Sequence, residues 1–339
     1  MTNGETLIEV KNLKKYFSLS GGVFRKVLGY VRAVDDISFK IYKGETLGLV
    51  GESGCGKTTT GRTLLRLLEP TSGEILFEGQ DITDLGRGDM KELRSNMSIV
   101  FQDPMASLDP RLTIKNAVGE PLLVNGIARG YRLRTMVLEL LQKVGLNEDH
   151  LNRFPHEFSG GQRQRICIAR ALALRPKFVV MDEPTSSTDV SVQAQTLNLM
   201  KDLQDEFDLT YLFISHNLSV VKHMSDRVAV MYLGKIVEMT PHDIFEEAMH
   251  PYSAALVSAV PVPDPKLRGR AEVLAGEVPS PINPPTGCRF HPRCRFATER
   301  CRDEIPDLRD MGDGHLVACH YAGELDLKYK EAAGAAVEA

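Results

Sequence analysis

Thr46-Leu47-Gly48-Leu49-Val50-Gly51-Glu52-Ser53-Gly54-Cys55-Gly56-Lys57-Thr58 is an apolar run that opens into glycines and ends on a lysine and a threonine. The segment from Gly51 to Thr58 matches G-x-x-x-x-G-K-[ST]. The glycines permit backbone conformations that turn successive N–H groups toward one point and so form a concave anion site. Lys57 is placed to reach the β- and γ-phosphates of a nucleotide, and the Thr58 hydroxyl to ligate Mg²⁺. Thr59 opens an apolar-periodic stretch to Leu68 that reads as a helix, whose positive end would face the phosphates. A strand before and a helix after are the context that separates this loop from a chance glycine-rich turn. Gly51, Ser53, Gly54, Cys55, Gly56, Lys57, Thr58 and Thr59 are the expected nucleotide-binding residues of the loop, with Cys55 a small filler at an unspecified position rather than a catalyst. This stretch alone implies only a nucleoside triphosphate.

Outward from the loop, short β-branched apolar runs alternate with helical patterns up to about Met239, which reads as α/β. Met97–Phe101, Phe178–Met181, Leu209–Ile214 and Val228–Met231 have the length and composition of buried strands, and Arg132–Val144 and Gln162–Leu174 show helical spacing. Four landmarks sit at the ends of these elements. Asp182 and Glu183 close an apolar strand, suited to a Mg²⁺ contact and to polarising an attacking water. Ser159, Gly160, Gly161 and Gln162 open a helix and form a second anion cradle. Gln102 and His216 each end a strand. Either residue alone is ordinarily structural; the set in this order is not.

Composition sets the class. Apolar residues make up 42% of the 339 and charged residues 25%, ordinary for a folded globular protein and incompatible with disorder throughout. With 41 basic against 45 acidic side chains the net charge is -4, so no global basic field points to nucleic acid. No apolar run reaches the roughly 18 residues of a membrane span. Met1 to Val10 is polar without a signal-peptide core, so the chain is expected to remain in the cytosol.

The order of loop, Gln102, Ser159-Gly160-Gly161-Gln162, Asp182-Glu183, Asp189 and His216 resembles the nucleotide-binding subunit of ATP-binding cassette (ABC) transporters, over about Leu7 to Met239. The resemblance implies a P-loop ABC ATPase cassette: an α/β fold with a mixed-sheet core, a β subdomain and a helical subdomain over about 103–165. It also implies a head-to-tail dimer with two ATP molecules between cassettes, in which Ser159 to Gln162 close on the γ-phosphate held by the partner's loop. Gln102 would join Thr58 and Asp182 around Mg²⁺, with Glu183 and His216 as the catalytic pair. Phe17, with Tyr16 beside it, stands where the family stacks adenine on an aromatic ring. One departure is Ser186-Ser187-Thr188-Asp189, where the family usually has Ser-Ala-Leu-Asp; another is Asn217, where many relatives carry Asp.

The wording Phe101-Gln102-Asp103-Pro104, Ala106-Ser107-Leu108, Phe154-Pro155-His156-Glu157-Phe158 and His250-Pro251-Tyr252 is similar to ATP-binding subunits of oligopeptide and dipeptide importers. The insertion through Gly29 is more like the second, F-type ATPase partner. That resemblance implies a second homologous ATPase, two membrane permease subunits docking near Gln102 and the helical segment, and an external binding protein. The subunit would lie peripherally on the cytoplasmic face of the membrane. A soluble ABC ATPase coupled to redox or repair is the alternative.

After Thr240 the character changes, and the chain divides into a cassette over 1–240 and an extension over 241–339. Eleven of the 18 prolines follow Met239, so turns and extended segments are expected, with one short helix around Tyr252–Val260 and a frayed last ten residues. Four of the six cysteines lie here, as Cys288-x₅-Cys294-x₆-Cys301-x₁₇-Cys319. Cytosolic cysteines seldom form disulfides, which favours a metal. Zinc sites generally show a close C-x₂₋₄-C pair, absent here although His291 offers C-x₂-H; wider spacings suit a [4Fe–4S] cluster. The peptide-importer resemblance implies the cluster, and zinc is the alternative. Arg289, Arg293, Arg295, Arg300 and Arg302 would offset the negative charge of such a cluster, or form a solvated or docking face.

Overall fold

The computed structural model describes residues 4–21, 26–186, 189–241, 243–260 and 276–327. Twelve strands follow in chain order: β1 (Thr6–Gly21), β2 (Lys26–Tyr42), β3 (Thr46–Val50), β4 (Ser72–Phe77), β5 (Gln80–Asp81) and β6 (Met97–Val100) come first. Then come β7 (Phe178–Asp182), β8 (Thr210–Ser215), β9 (Arg227–Tyr232), β10 (Lys235–Thr240), β11 (Arg309–Asp310) and β12 (Leu316–Val317). They form two sheets. One is antiparallel with the order β2-β1-β4-β5, and the other has eight strands in the order β11-β12-β10-β9-β3-β8-β7-β6.

The strands β6, β7, β8, β3 and β9 run parallel to one another, β10 is antiparallel to β9, and all residues of β3, β7 and β8 are buried. A parallel strand covered on both faces needs continuous apolar sequence, which is why Phe178-Val179-Val180-Met181 and Tyr211-Leu212-Phe213-Ile214 show no polar alternation. The period of two still operates, dividing each strand between two cores. Val179, Met181, Tyr211 and Phe213 face one core, shared with the helical segment; Phe178, Val180, Leu212 and Ile214 face the other, shared with the antiparallel sheet. Each fully buried large apolar side chain contributes about 1.5–3 kcal/mol.

The helix after the loop begins at Lys57, where its positive end was expected to face the phosphates, and runs to Leu64, ending sooner than the apolar stretch to Leu68 because Arg66 turns left-handed with φ 51°. Helices Pro104–Ser107, Ile114–Val124, Gly130–Lys143 and Gly160–Ala171 follow as the helical segment. Beyond residue 240 the structure has the expected helix, at Pro251–Ser258, and also Ile244–Glu247 and Glu299–Asp303.

These later residues add to the large sheet: β12 pairs antiparallel with β10, Val317 opposite Glu238 and Leu316 opposite Met239. The seam holds a buried carboxylate. Glu238, 0% exposed, accepts from the N–H groups of Met249 (2.7 Å) and His250 (3.0 Å) and pairs with His315 Nε2 at 2.7 Å. The altered residues Ser187 and Thr188, and the last ten residues for which fraying was expected, lie outside the described residues.

Candidate functional site

A cleft of about 800 Å³ opens at the carboxyl ends of β3, β6, β7 and β8, the place where doubly wound sheets ordinarily receive ligands. Four loops leave adjacent parallel strands there. Ser53, Gly54, Gly56, Lys57, Thr58 and Thr59 line it from the loop after β3, with Gln102 after β6, Glu183 after β7 and His216 after β8. Asp103 and Ser186, which stand in the wording and the Ser186–Asp189 segment quoted above but were given no site role, also line it, as does Ala33, which no motif marked.

The loop's shape is enforced sterically. Gly56 has φ 113°, and a Cβ there would come within 2.1 Å of the Ala33 carbonyl oxygen; at Gly51, with φ 150°, a Cβ would meet the Met231 carbonyl at 2.1 Å. Only glycine fits either position. Lys57 Nζ, 5% exposed as a residue, donates to the carbonyls of Gly51 (2.7 Å) and Glu52 (3.1 Å), so its charge is held under the loop. Cys55 is 3% exposed and packs in the core shared with the antiparallel sheet, its thiol pKa raised by burial. That is the packing role its size suggested.

Thr58 Oγ1 donates to Asp182 Oδ1 at 2.7 Å. Burial raises the Asp182 pKa, against the Thr58 hydrogen bond and the nearby Arg62; a divalent cation at this point would reverse the balance in favour of the carboxylate. Glu183 Oε2 accepts from Gln102 Nε2 at 3.0 Å and lies 3.1 Å from His216 Nδ1. Glu183 adopts φ 49°, the left-handed region that costs a non-glycine residue about 1–2 kcal/mol. That turn carries its carboxylate off the strand direction and toward the other two side chains.

Ser159, Gly160, Gly161 and Gln162 do not line this cleft. They begin the helix Gly160–Ala171 in a capping box: Gln162 N–H donates to Ser159 Oγ (3.3 Å), and Ser159 N–H to Gln162 Oε1 (3.1 Å). Gly161 packs so closely that a Cβ would meet Val192 Cγ1 at 2.5 Å. Asp189 caps the helix Val190–Phe207, accepting from Val192 N–H at 2.9 Å.

Tyr16 and Phe17 diverge. The Tyr16 hydroxyl donates to Asp35, and burial together with that bond pushes its pKa up to about 12. Phe17 is 37% exposed, with Lys15 Nζ 5.0 Å from its ring centre. Of the pair, Phe17 is the more exposed, and Tyr16 is half-buried with Arg32 5.9 Å from its ring centre.

Cys288, Cys294, Cys301 and Cys319 line a single pocket together with His250, Phe290 and Phe296. All four are free thiols. Burial pushes the Cys288 pKa up to about 12 and that of Cys294 to about 11, and raises Cys319. Among the described residues, no group of three or more His, Cys, Asp or Glu is spaced to hold a metal ion.

The arginines are not the basic halo anticipated. Arg289 pairs with Asp35 and Arg293 with Glu52, because largely buried guanidinium groups take carboxylate partners, whereas Arg300 pairs with Glu304 (2.8 Å) one helical turn on at the exposed surface. Arg295 lies over the Phe296 ring at 4.7 Å.

The parallel sheet, the glycine loop closing on Lys57 and Thr58, and the carboxylates at the end of β7 define a P-loop nucleotide-binding ATPase of the ABC type. The profile described as "ABC transporter" matches residues 34–186, and that described as "Oligopeptide/dipeptide transporter, C-terminal region" matches residues 237–301.

The chain is 52% identical to "Oligopeptide transport ATP-binding protein AppF" of Bacillus subtilis (strain 168), over 94% of this chain and 98% of that one. It is 50% identical to "Dipeptide transport ATP-binding protein DppF" of Haemophilus influenzae, over 93% and 96%. Among solved structures, the dimeric post-hydrolysis state of the ATP-binding cassette MJ0796 bound to ADP and Pi matches with TM-score 0.62 and 28% identity, over 69% of this chain and 98% of that one. The chain belongs to the family of ATP-binding subunits of oligopeptide/dipeptide ABC transporters.

Proposed function

We propose that this chain hydrolyses ATP to power peptide uptake through a separate membrane permease. The observation that carries the reading is the convergence of Lys57, the Thr58–Asp182 pair and the Gln102–Glu183–His216 triplet on one cleft. Thr58, Gln102 and Asp182 would hold a Mg²⁺ ion, which would add charge neutralisation at the phosphates; Lys57 neutralises them from the loop, Glu183 orients and deprotonates the attacking water, and His216 contacts the γ-phosphate. Ser159 to Gln162 face outward from the helical segment and serve the nucleotide of the partner cassette. Phe17 stacks on the adenine.

The partners follow from the relatives, whose names describe oligopeptide and dipeptide transport. They are a second, homologous ATPase in a head-to-tail dimer, with this chain as the F-type member, two permease subunits and, indirectly, an external binding protein. The relatives named above are transport proteins, and the soluble redox or repair alternative has no counterpart among them. Among the described residues no helix is long and apolar enough to cross a membrane, in keeping with a peripheral subunit, here assigned to the cytoplasmic face. The cassette spans 1–240 and the extension 241–339. Glu183→Gln should keep MgATP binding and lower turnover about 10²-fold or more, the scale of a lost general base. Hydrolysis at the parental rate would overturn the assignment.

The cysteine pocket supports a second element of this reading, a [4Fe–4S] cluster held by Cys288, Cys294, Cys301 and Cys319. Four free thiols on one pocket are the donor set of such a cluster, with zinc the alternative occupant. When bound, the cluster supplies a crosslink between segments that share little core. Protein purified without oxygen should carry iron, sulfide and an absorbance band at about 400 nm. A colourless protein that contains zinc would refute the cluster.

A further inference from the structure

Glu52, the second residue of the phosphate-binding loop, is gripped twice from the extension. Its carboxylate accepts both forks of the Arg293 guanidinium, Nη1 to Oε2 at 2.6 Å and Nη2 to Oε1 at 3.0 Å. Its backbone N–H donates to the Tyr252 hydroxyl at 2.8 Å. Neither partner is a loose surface group. The Arg293 side chain is 5% exposed and Tyr252 is 0% exposed. Two parallel charge-assisted bonds with the arginine desolvated define a direction as well as a charge. An exposed ion pair between mobile side chains does neither.

What holds Arg293 is the cysteine pocket. Arg293 ends the short turn His291–Arg293 and immediately precedes Cys294, and its guanidinium lies 5.9 Å from the Tyr232 ring centre. Tyr232 packs on Tyr252 at 4.7 Å and on Phe290 at 5.3 Å, and Phe290 lines the pocket. On the other side, the Glu52 carbonyl accepts from Lys57 Nζ at 3.1 Å and from Cys55 N–H at 3.3 Å. A shift of Glu52 therefore moves the lysine amine. An unpaired carboxylate at this position would also put negative charge in a loop built for phosphates.

We infer that Arg293 is a positioning residue for the phosphate-binding loop, acting through Glu52. The inference rests on the reading of the cleft as the ATP site. It links the extension to nucleotide affinity, independent of what the four thiols bind.

The test uses the full chain, with MgATP affinity by equilibrium dialysis and steady-state hydrolysis. Arg293→Ala should weaken binding and raise KM for MgATP about tenfold, with kcat within about threefold of the parent, the response to a broken, desolvated charge pair. Arg293→Lys keeps the charge but not the fork, and should fall between. Adding Glu52→Gln to Arg293→Ala removes the stranded carboxylate and should return affinity to within about threefold of the parent.

A merely structural role would lower Tm without a KM shift and without rescue. A folded Arg293→Ala protein with parental affinity overturns the inference, as does a double variant as weak as the single one. Arg293→Gln, which keeps most of the packing, replaces the alanine variant if that one does not fold, with the same expected and overturning results. Lys57→Ala separates the two readings. Loss of binding there with none in Arg293→Ala refutes only the Arg293 role, whereas retained binding in Lys57→Ala refutes the ATP site and this inference together.

Discussion

The nucleotide cleft and the cysteine pocket meet through Glu52 and Arg293 but are assembled on opposite principles. The cleft is polar and open, and its groups come from the ends of adjacent parallel strands, where strand direction alone brings residues 57, 102, 183 and 216 to one place. The pocket is lined by aromatic rings and thiols and sits beyond the antiparallel edge of the same sheet, where β12 adds to β10. There, Cys301 sits in the short helix Glu299–Asp303, while Cys288, Cys294 and Cys319 lie in turns and irregular segments. A site at the ends of a two-sided parallel sheet inherits rigidity from the core. A site on an added edge has to be tied down, and Glu238, Asp35 and Glu52 are the three cassette carboxylates that tie it.

The largest expected effect lies in the cleft. Asp182→Asn removes the carboxylate that receives the Thr58 hydroxyl, and MgATP hydrolysis should fall about 10²- to 10³-fold, as for other lost pre-organised charges. Steady-state rates at saturating MgATP would check it, with Tm essentially unchanged. If Tm fell as steeply as the rate, the cleft would be as dependent on tethering as the pocket.

Glu238→Ala inverts that pattern. Two N–H groups and His315 lose their buried acceptor, and the fold should lose about 3 kcal/mol of stability. Urea denaturation followed by circular dichroism would measure it; a loss under about 1 kcal/mol would show that the seam is held by apolar contacts alone.

A smaller effect is expected at Asp35, which receives Tyr16 and Arg289. Burial opposes its ionised form, but the Tyr16 bond and the Arg289 charge prevail and its pKa is lowered. A carboxylate whose folded pKa is depressed contributes stability above its unfolded pKa of about 3.9, and that contribution is lost as pH falls through the lower, folded value. Asp35→Asn should therefore cost about 2 kcal/mol at pH 7, and its difference from the parent should shrink below about pH 4. A constant difference across that range would mean that the charge of Asp35 is not what matters.

Arg134→Ala breaks an exposed pair with Glu148 in the helical segment that involves none of the three ties, and should change stability by less than about 1 kcal/mol. It is the baseline against which the other three are read.

Much of the cleft was legible along the chain because its chemistry is local. Gly51 to Thr58 is a contiguous loop, and Gln102, Asp182, Glu183 and His216 each sit within two residues of a strand end that apolar runs announce. The lining by Ala33 was not legible, since an alanine carries no chemical signature, and Asp103 and Ser186 stood in quoted segments without a site role of their own. The four cysteines could be grouped by composition and spacing alone. The arginines between them could not be assigned, because a carboxylate partner 241 residues away leaves no trace in local pattern.

By itself, the sequence determined the parallel core, the phosphate-binding loop and the order of its accompanying groups. In each case the cause is short-range: backbone freedom at glycine, burial periodicity, and the direction in which a strand ends. Only the tertiary structure decided that β11 and β12 extend the cassette's own sheet, that Glu238 is buried in the seam, and that Arg293 grips Glu52. Two-residue strands have too little periodicity to read. The energy of a buried ion pair depends on which surfaces meet after the chain has folded, not on the residues beside it in sequence.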